Sequence, residues 1–577
     1  MRKHTAACLV AALGAASCSD SGEQHPAGSG LSGPAETPAV GQALPEPSRA
    51  GWDADTAWPG FTLVAPLKSR WVQLVDMSGT SVHSWETGGT PGVAVYLTER
   101  GSLLRCIQVE DHKLFTGGGQ GGRVQELDWD GSVLWEFEWD SESGLQHHDI
   151  EEMPNGNVLI IAWDRKTRAE ALAHGRDPEL LAGEEFWPGA VYEIEPTRPV
   201  GGTVVWSWHA WDHMVQSFDE SAPNFDDPAA HPERIDMNGD RDPEPPSEEQ
   251  LAREAEQMAA LGYAGDDEDE EDPDADGDGD DDEEEDPEKA ALKKRTEDAD
   301  WMHTNAIDYN PQLDQIALSV RRFDEVWIID HSTTRAQAAT SRGGHSGRGG
   351  DLLYRWGNPF AYGMGEWEDR QLFGQHHVQW IPEGYLGEGN LIVFNNGSHR
   401  FPEPEDQDED EEPAIDEWSS VDEWWAPRDA EGNYLRVAGQ AFGPTVPTWR
   451  FETDPRTDLN SSFISGVQRL PNGNTLVCSG APGHVLEVTP DEQIVWDWKN
   501  PYGLDPDADE PESGDPVSPS ALFRATRLAA DDPAIVALRE RGAPIPLDAG
   551  QGPATNQRVE VEEEEEEESD ESGASDQ

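Results

Sequence analysis

A four-part pattern recurs along this chain and constrains its fold more than any other feature. A short strand ends in an acidic or polar turn, as in VQELDWDG, VYEIEP, VWIIDHS and VLEVTPD. A second strand carries an aromatic pair: Trp135 with Phe137, Trp206 with Trp208, Tyr354 with Trp356, Trp449 with Phe451, Trp496 with Trp498. A third strand then runs into Pro-Asn-Gly-Asn or a relative of it, and an apolar strand (VLIIAW, IALSV, LIVF, TLVC) closes the unit. Residues spaced i, i+2 share one face of a strand. Asn-Gly supplies the positive φ angles of a tight hairpin. Unbroken apolar runs suit strands buried on both faces. Four strands per unit of roughly 45 residues is the spacing of a propeller blade. Units begin at LVDMSG, then near Val124, Val191, Val326, Tyr434 and Val485. The expected fold is therefore all-β, a six-bladed β-propeller over residues 51–535. The 23 tryptophans are then mostly packing between blades.

Charge separates the body from its surroundings. The net charge of −77 is concentrated in residues 266–288 and 560–568, with a weaker run at 403–412. Such blocks repel themselves and stay solvated. An acidic disordered insertion is expected at about 237–298, and an acidic disordered tail at 536–577. The sign argues against a nucleic-acid partner. Arg2 and Lys3, an apolar stretch from Ala6 to Ala16 and small residues before Cys18 resemble a secretory signal with a lipidation site, residues 1–18. Residues 19–50, rich in Ser, Gly, Pro and Ala, read as a flexible linker. An exported lipoprotein is expected, periplasmic or at the outer membrane or cell surface, with Cys18 lipid-anchored to the membrane. Cys106 and Cys478 sit in apolar strands and are expected as buried free thiols rather than a disulfide.

Repeats allow equivalent positions to be compared within one sequence. Six residues before the turn prolines Pro154, Pro382 and Pro471 stand His148, His376 and Ser465, and His303 holds about the same place in its unit. The column selects His148 over His147 and His376 over His377. If it faces the axis, three imidazoles converge at one mouth of the channel. Asn305 follows His303 by two residues and points the same way. Arg321 ends the strand IALSV, where a guanidinium needs an anion or a carboxylate. Imidazoles with a guanidinium make a receptor for a compact oxyanion. No one carboxylate position accompanies all three histidines, so no metal site is assigned.

The segments WMHTNAIDYNPQLDQIALSVRRFDEVWIIDHST, GGDLLYRWGNP, FGQHHVQWIPEG and LFRATR resemble signatures of the arylsulfotransferase family. The resemblance covers most of residues 55–530. It implies a six-bladed propeller that moves a sulfuryl group from a phenolic sulfate ester to a phenol acceptor, through a sulfated histidine and without a nucleotide sulfate donor. By motif, it makes His376 of FGQH the nucleophile, pairs His303 with Asn305 as the H-x-N element, and adds Arg321 and His148. Asn305 would contact substrate. It implies no cofactor.

Two other readings stand beside this one. A non-catalytic surface propeller explains the tether and the acidic segments but leaves the histidine column without a role. Asp274, Asp276, Asp278, Gly279 and Glu285 also fit a calcium-loop spacing. Almost any register of so acidic a tract fits some carboxylate pattern.

Overall fold

The computed structural model describes residues 50–109, 114–243, 287–400, 418–430, 432–503 and 520–550. The signal and Cys18, the linker to residue 49, the bulk of the acidic insertion with its calcium-like spacing, the run at 403–412 and residues 551–577 lie outside them.

Six antiparallel sheets, each with four principal strands, form the blades of a propeller. From the inner strand outward, blade 2 holds Pro91–Leu97, Leu103–Gln108, Gly122–Leu127 and Val133–Glu138. Blade 3 holds Gly144–Glu152, Val158–Asp164, Gly189–Pro196 and Gly202–His209. Blade 4 holds Thr304–Asn310, Gln315–Val320, Glu325–Asp330 and Tyr354–Trp356. Blade 5 holds His376–Trp380, Leu391–Asn395, Ser420–Trp424 and Trp449–Phe451. Blade 6 holds Gly466–Arg469, Thr475–Ser479, His484–Val488 and Ile494–Lys499, with Gly51–Trp52 added at its outer edge. Blade 1 is composite. Its inner strand is the late segment Leu522–Leu528, paired antiparallel with Phe61–Pro66, and Trp71–Val75 and Ser81–Glu86 follow.

The sequence unit is therefore half a blade out of phase with the sheets. Its first two strands are the outer half of one blade, and its last two are the inner half of the next. The acidic insertion consequently falls between blades 3 and 4. The fifth unit does not begin near Tyr434. Its strand is Ser420–Trp424, whose polar look hides two pairings: Asp422 with Arg450 and Glu423 with Arg469. Tyr434 lies in the following loop and packs on Tyr354.

Two expected boundaries also shift. Pro533–Arg541 is a helix, capped by Asp532 and ended by Gly542 at φ +106°. Its Ala534, Ile535 and Leu538, with Ala543, Ile545 and Ala549, join the core that holds Phe61 and Leu74. The body thus extends to about residue 550. At the insertion, Met237 is fully buried, Asp240 pairs with Arg176, and Pro287–Thr296 is helical.

Aromatic burial holds neighbouring blades together. Trp135, Trp208, Trp327, Trp424, Trp496 and Trp498 are all almost inaccessible. The indole N–H of Trp135 donates to Gly201 O and that of Trp208 to Gly350 O, so the polar atom is satisfied where the ring is buried. Around the axis, side chains of one inner strand reach the backbone of the next. Asp149 Oδ2 accepts from Ile307 N (3.0 Å), and Asp308 Oδ2 from Trp380 N (2.7 Å). His377 Nδ1 accepts from Val467 N (3.0 Å), and Gln468 Oε1 from Arg527 N (2.8 Å). These latches run from blade 3 through to blade 1. Cys106 and Cys478 are free and buried, and burial pushes both thiols up, away from reactivity.

Candidate functional site

The site lies where the inner strands begin, and backbone irregularity builds it. Five inner strands change register near this end, between Pro91 and Val95, Gln146 and Ile150, Thr304 and Ala306, His376 and Gln379, and Leu522 and Ala525. Left-handed residues accompany the kinks: Val93 (φ +72°), His148 (+50°), His303 (+47°) and His377 (+58°), with Ile464 (+52°) and Ser465 (+88°) in blade 6. A bulge re-aims the side chains beside it. Non-glycine residues with such φ values persist only where the surroundings fix them, commonly at functional sites.

His148, His303 and Arg321 come together with His376. The rings of His148 and His303 meet edge to face, 4.6 Å between centroids. Arg321 N donates to His303 O (3.2 Å). The guanidinium charge of Arg321 acts on all three histidines, and His376 acts on His148. Burial comes first in holding His376 and His148 well below the usual imidazole range. Arg321 is next for His376, and the neighbouring His303 for His148. Both are neutral at pH 7.

Hydrogen bonding fixes the tautomer of His376. Its Nδ1 lies 2.8 Å from Asn396 Oδ1 and 3.0 Å from Gly374 O. The Asn396 amide cannot be turned around, because its Nδ2 donates to Ser461 O (2.7 Å) and Ile464 O (3.0 Å). Two acceptors at Nδ1 require a proton there, which leaves Nε2 with a lone pair. Nε2 is buried and has no hydrogen-bond partner among the described residues. The preceding loop is pinned by Gly374 N donating to Asp324 Oδ1 (2.7 Å) and Phe373 N to Asn395 Oδ1 (3.0 Å).

His303 is oriented by a carboxylate. Its Nδ1 lies 2.6 Å from Asp300 Oδ2, while Asp300 Oδ1 accepts from His303 N (3.1 Å) and Trp163 Nε1 (2.8 Å). Burial would lift the Asp300 carboxyl, but His303 and its hydrogen bond hold it well below the usual range. Burial keeps His303 itself below its ordinary value, with Asp300 opposing. His147 is not idle either. Its Nδ1 lies 2.7 Å from His148 Nδ1, and its ring stacks on Trp163 at 4.3 Å.

Asn305 reaches across to the next inner strand. Its Nδ2 donates to Gln375 O (2.8 Å), tying blade 4 to the residue before His376. This amide positions the strand with one of its N–H groups, and its Oδ1 has no hydrogen-bond partner among the described residues. Arg524, from LFRATR, pairs with Asp149 at 2.8 Å and donates to Asn305 O (3.1 Å). It braces blade 1 against blades 3 and 4. Asp300, Asn396 and His147 were not singled out from the sequence. Only Asp300 left a signal, an acid three residues before a column histidine.

Two neutral imidazoles, one with a fixed free nitrogen, and a third imidazole backed by a carboxylate, beside a guanidinium, suit transfer of a compact anionic group. No His, Cys, Asp and Glu grouping among the described residues has the makings of a metal site. The family model described as Arylsulfotransferase (ASST) matches residues 93–496, and the chain belongs to that family. No curated protein matches significantly. Among solved structures, a protein of unknown function from Bacteroides caccae is similar at 10% identity, covering 82% of this chain and 99% of its own, with a TM-score of 0.37. The β-propeller domain of Cps50 (Swd1) from Myceliophteria thermophila matches at 10% identity, 71% and 85% coverage and a TM-score of 0.27. A protein from Lactobacillus plantarum matches at 9% identity, 77% and 83% coverage and a TM-score of 0.32.

Proposed function

We propose that this arylsulfotransferase-family protein moves a sulfuryl group from a phenolic sulfate ester to a phenol through a sulfated His376, with no nucleotide sulfate donor. The observation that carries the reading is the fixed, neutral tautomer of His376, with Nε2 buried and unengaged. Nε2 attacks sulfur, the S–N bond forms, and the S–O bond to the phenolate breaks. As Nε2 gives up its lone pair the ring turns positive, and the two oxygens at Nδ1 stabilise that charge. Arg321 faces the sulfuryl oxygens, where negative charge shifts in the transition state. His303, doubly protonated against the Asp300 carboxylate when the donor binds, gives its Nε2 proton to the departing phenolate and later takes one from the acceptor phenol, which then attacks sulfur and frees His376. His148 completes the wall against His303. We also take the protein to be exported and anchored through Cys18.

The test is incubation with a chromogenic phenyl sulfate, with and without a phenol acceptor. Release that depends on acceptor supports the transferase. Release to water alone would make it a sulfatase, and no release would favour a binding propeller.

A further inference from the structure

Away from the axis, on the outer half of blade 3, three side chains form a relay that sulfuryl transfer does not use. His209 Nδ1 lies 2.6 Å from Asp164 Oδ2, and His209 Nε2 lies 3.2 Å from Ser207 Oγ. The phenol of Tyr192 donates to Asp164 Oδ1 (2.8 Å), and Arg335 Nε donates to Ser207 Oγ (3.2 Å). Every proton direction follows. A carboxylate at Nδ1 calls for N–H there, and in the neutral ring that leaves Nε2 as the acceptor. Arg335 occupies a lone pair of Ser207, and the hydroxyl proton points to Nε2. Burial and the adjacent Asp164 push the Tyr192 phenol up, so it remains a donor.

The repeat shows that this is not ordinary blade chemistry. At the positions of Ser207 and His209, blades 2, 5 and 6 carry Glu136 and Glu138, Arg450 and Glu452, Asp497 and Lys499. Those are charged pairs of a solvated outer strand. Only blade 3 sets a hydroxyl and an imidazole there, with an acid at the end of the Val158–Asp164 strand, one strand further in than the neighbouring Gly189–Pro196. The His209 side chain is 27% exposed. Ser207 lies just beneath the surface, covered by the exposed, long side chain of Arg335.

We propose that Ser207, His209 and Asp164 form a second nucleophilic centre, independent of His376, that takes an acyl or phosphonyl group from small activated esters. Ser207 Oγ attacks the ester carbon while its proton passes to His209 Nε2. The carbon–oxygen bond to the alcohol breaks, and the alcohol leaves with that proton. Water, deprotonated by the same nitrogen, then releases the acid and restores Ser207. Asp164 is a positioning residue that fixes the tautomer of His209. Arg335 sets its N–H donors beside the point where the oxyanion forms.

The experiment is labelling of the full-length protein with a fluorophosphonate, read by peptide mass spectrometry. The adduct should lie on Ser207 and be absent from Ser207→Ala, whose sulfuryl transfer should be unchanged. His209→Asn should slow labelling by about a hundredfold or more, with its circular dichroism checked against the wild type. His376→Asn should label at the wild-type rate, which separates this centre from the sulfuryl site. An unlabelled wild-type Ser207, under conditions that label a control serine hydrolase to completion, would overturn the proposal. So would an equal label in Ser207→Ala.

Discussion

His376 and His303 both carry a proton on Nδ1, but they hand it to different partners, and the difference is measurable. His376 faces two neutral oxygens and should be the sulfated residue, so His376→Asn should lose several orders of magnitude in rate. Mass spectrometry should then find no adduct after brief mixing with a phenyl sulfate. His303→Asn should lose about a hundredfold to ten-thousandfold in turnover. It should still accumulate the adduct from a donor with a good leaving group, since such a phenolate needs little protonation. An adduct on His303 or His148 would reverse the assignment. Asp300→Asn removes the acceptor that fixes His303 and should cost roughly a hundredfold to ten-thousandfold. Its penalty should grow as the phenol becomes a poorer leaving group. A penalty independent of the leaving group would mean that Asp300 only holds the loop. The three histidines were legible because the repeat let one chain be aligned with itself. Asp300 and Asn396 were not, because each sits just outside a strand, where no repeat position anchors it. Asn305 was found by its spacing, but spacing could not reveal that one of its N–H groups ties it to the Gln375 carbonyl.

At the scale of the element, the kinked beginnings of the inner strands do what straight strands could not. The Gln146-to-Ile150 register change turns His148 towards His303, and Gly119 closes behind it. A Cβ on Gly119 would stand 2.3 Å from His148 Nε2, and the residue has φ +75°. Gly119→Ala should therefore cost about 1–2 kcal/mol from the backbone alone. It should also displace the His148 ring and lower turnover at least tenfold. Urea denaturation and phenyl sulfate turnover would check the two effects separately, and unchanged turnover would mean that the ring moves without consequence. The strands themselves were legible from aromatic pairs and Asn-Gly turns. The kinks were not, since Val93 and Ile464, both β-branched, are poor guesses for positive φ. Nor could periodicity reveal the half-blade phase, which depends on which strand lies nearest the axis.

For the whole molecule, the joint between blades 3 and 4 should respond to pH. His331 bridges them, with Nδ1 2.7 Å from Asp314 Oδ1 and Nε2 3.1 Å from Glu193 Oε2. Burial alone would weaken its hold on a proton, but the two carboxylates outweigh it and raise the imidazole above its ordinary value. Burial also opposes ionisation of Glu193, yet His331 and Asn157 bring that carboxyl below its usual range. The imidazolium contributes fully below about pH 6.5, its unfolded value, and its contribution is lost as pH rises through the raised folded value. The carboxylate contributes above about pH 4.3 and is lost as pH falls through its lowered folded value. His331→Gln should therefore lower the melting temperature more at pH 5.5 than at pH 9. Equal deficits would show that the bridge is held by shape alone. The blade count could be read from the repeat, but this joint could not, because its three residues come from separate strands and turns. The composite first blade has a consequence of its own. Its inner strand is the last strand of the propeller to leave the ribosome, so at roughly 5–20 residues per second the edge of Phe61–Pro66 waits on the order of tens of seconds for a partner. Until then the first blade lacks its inner strand, and that one edge stays unpaired and open to chaperones and proteases. A message cut short before Leu522 should therefore yield a chain that cannot complete its first blade.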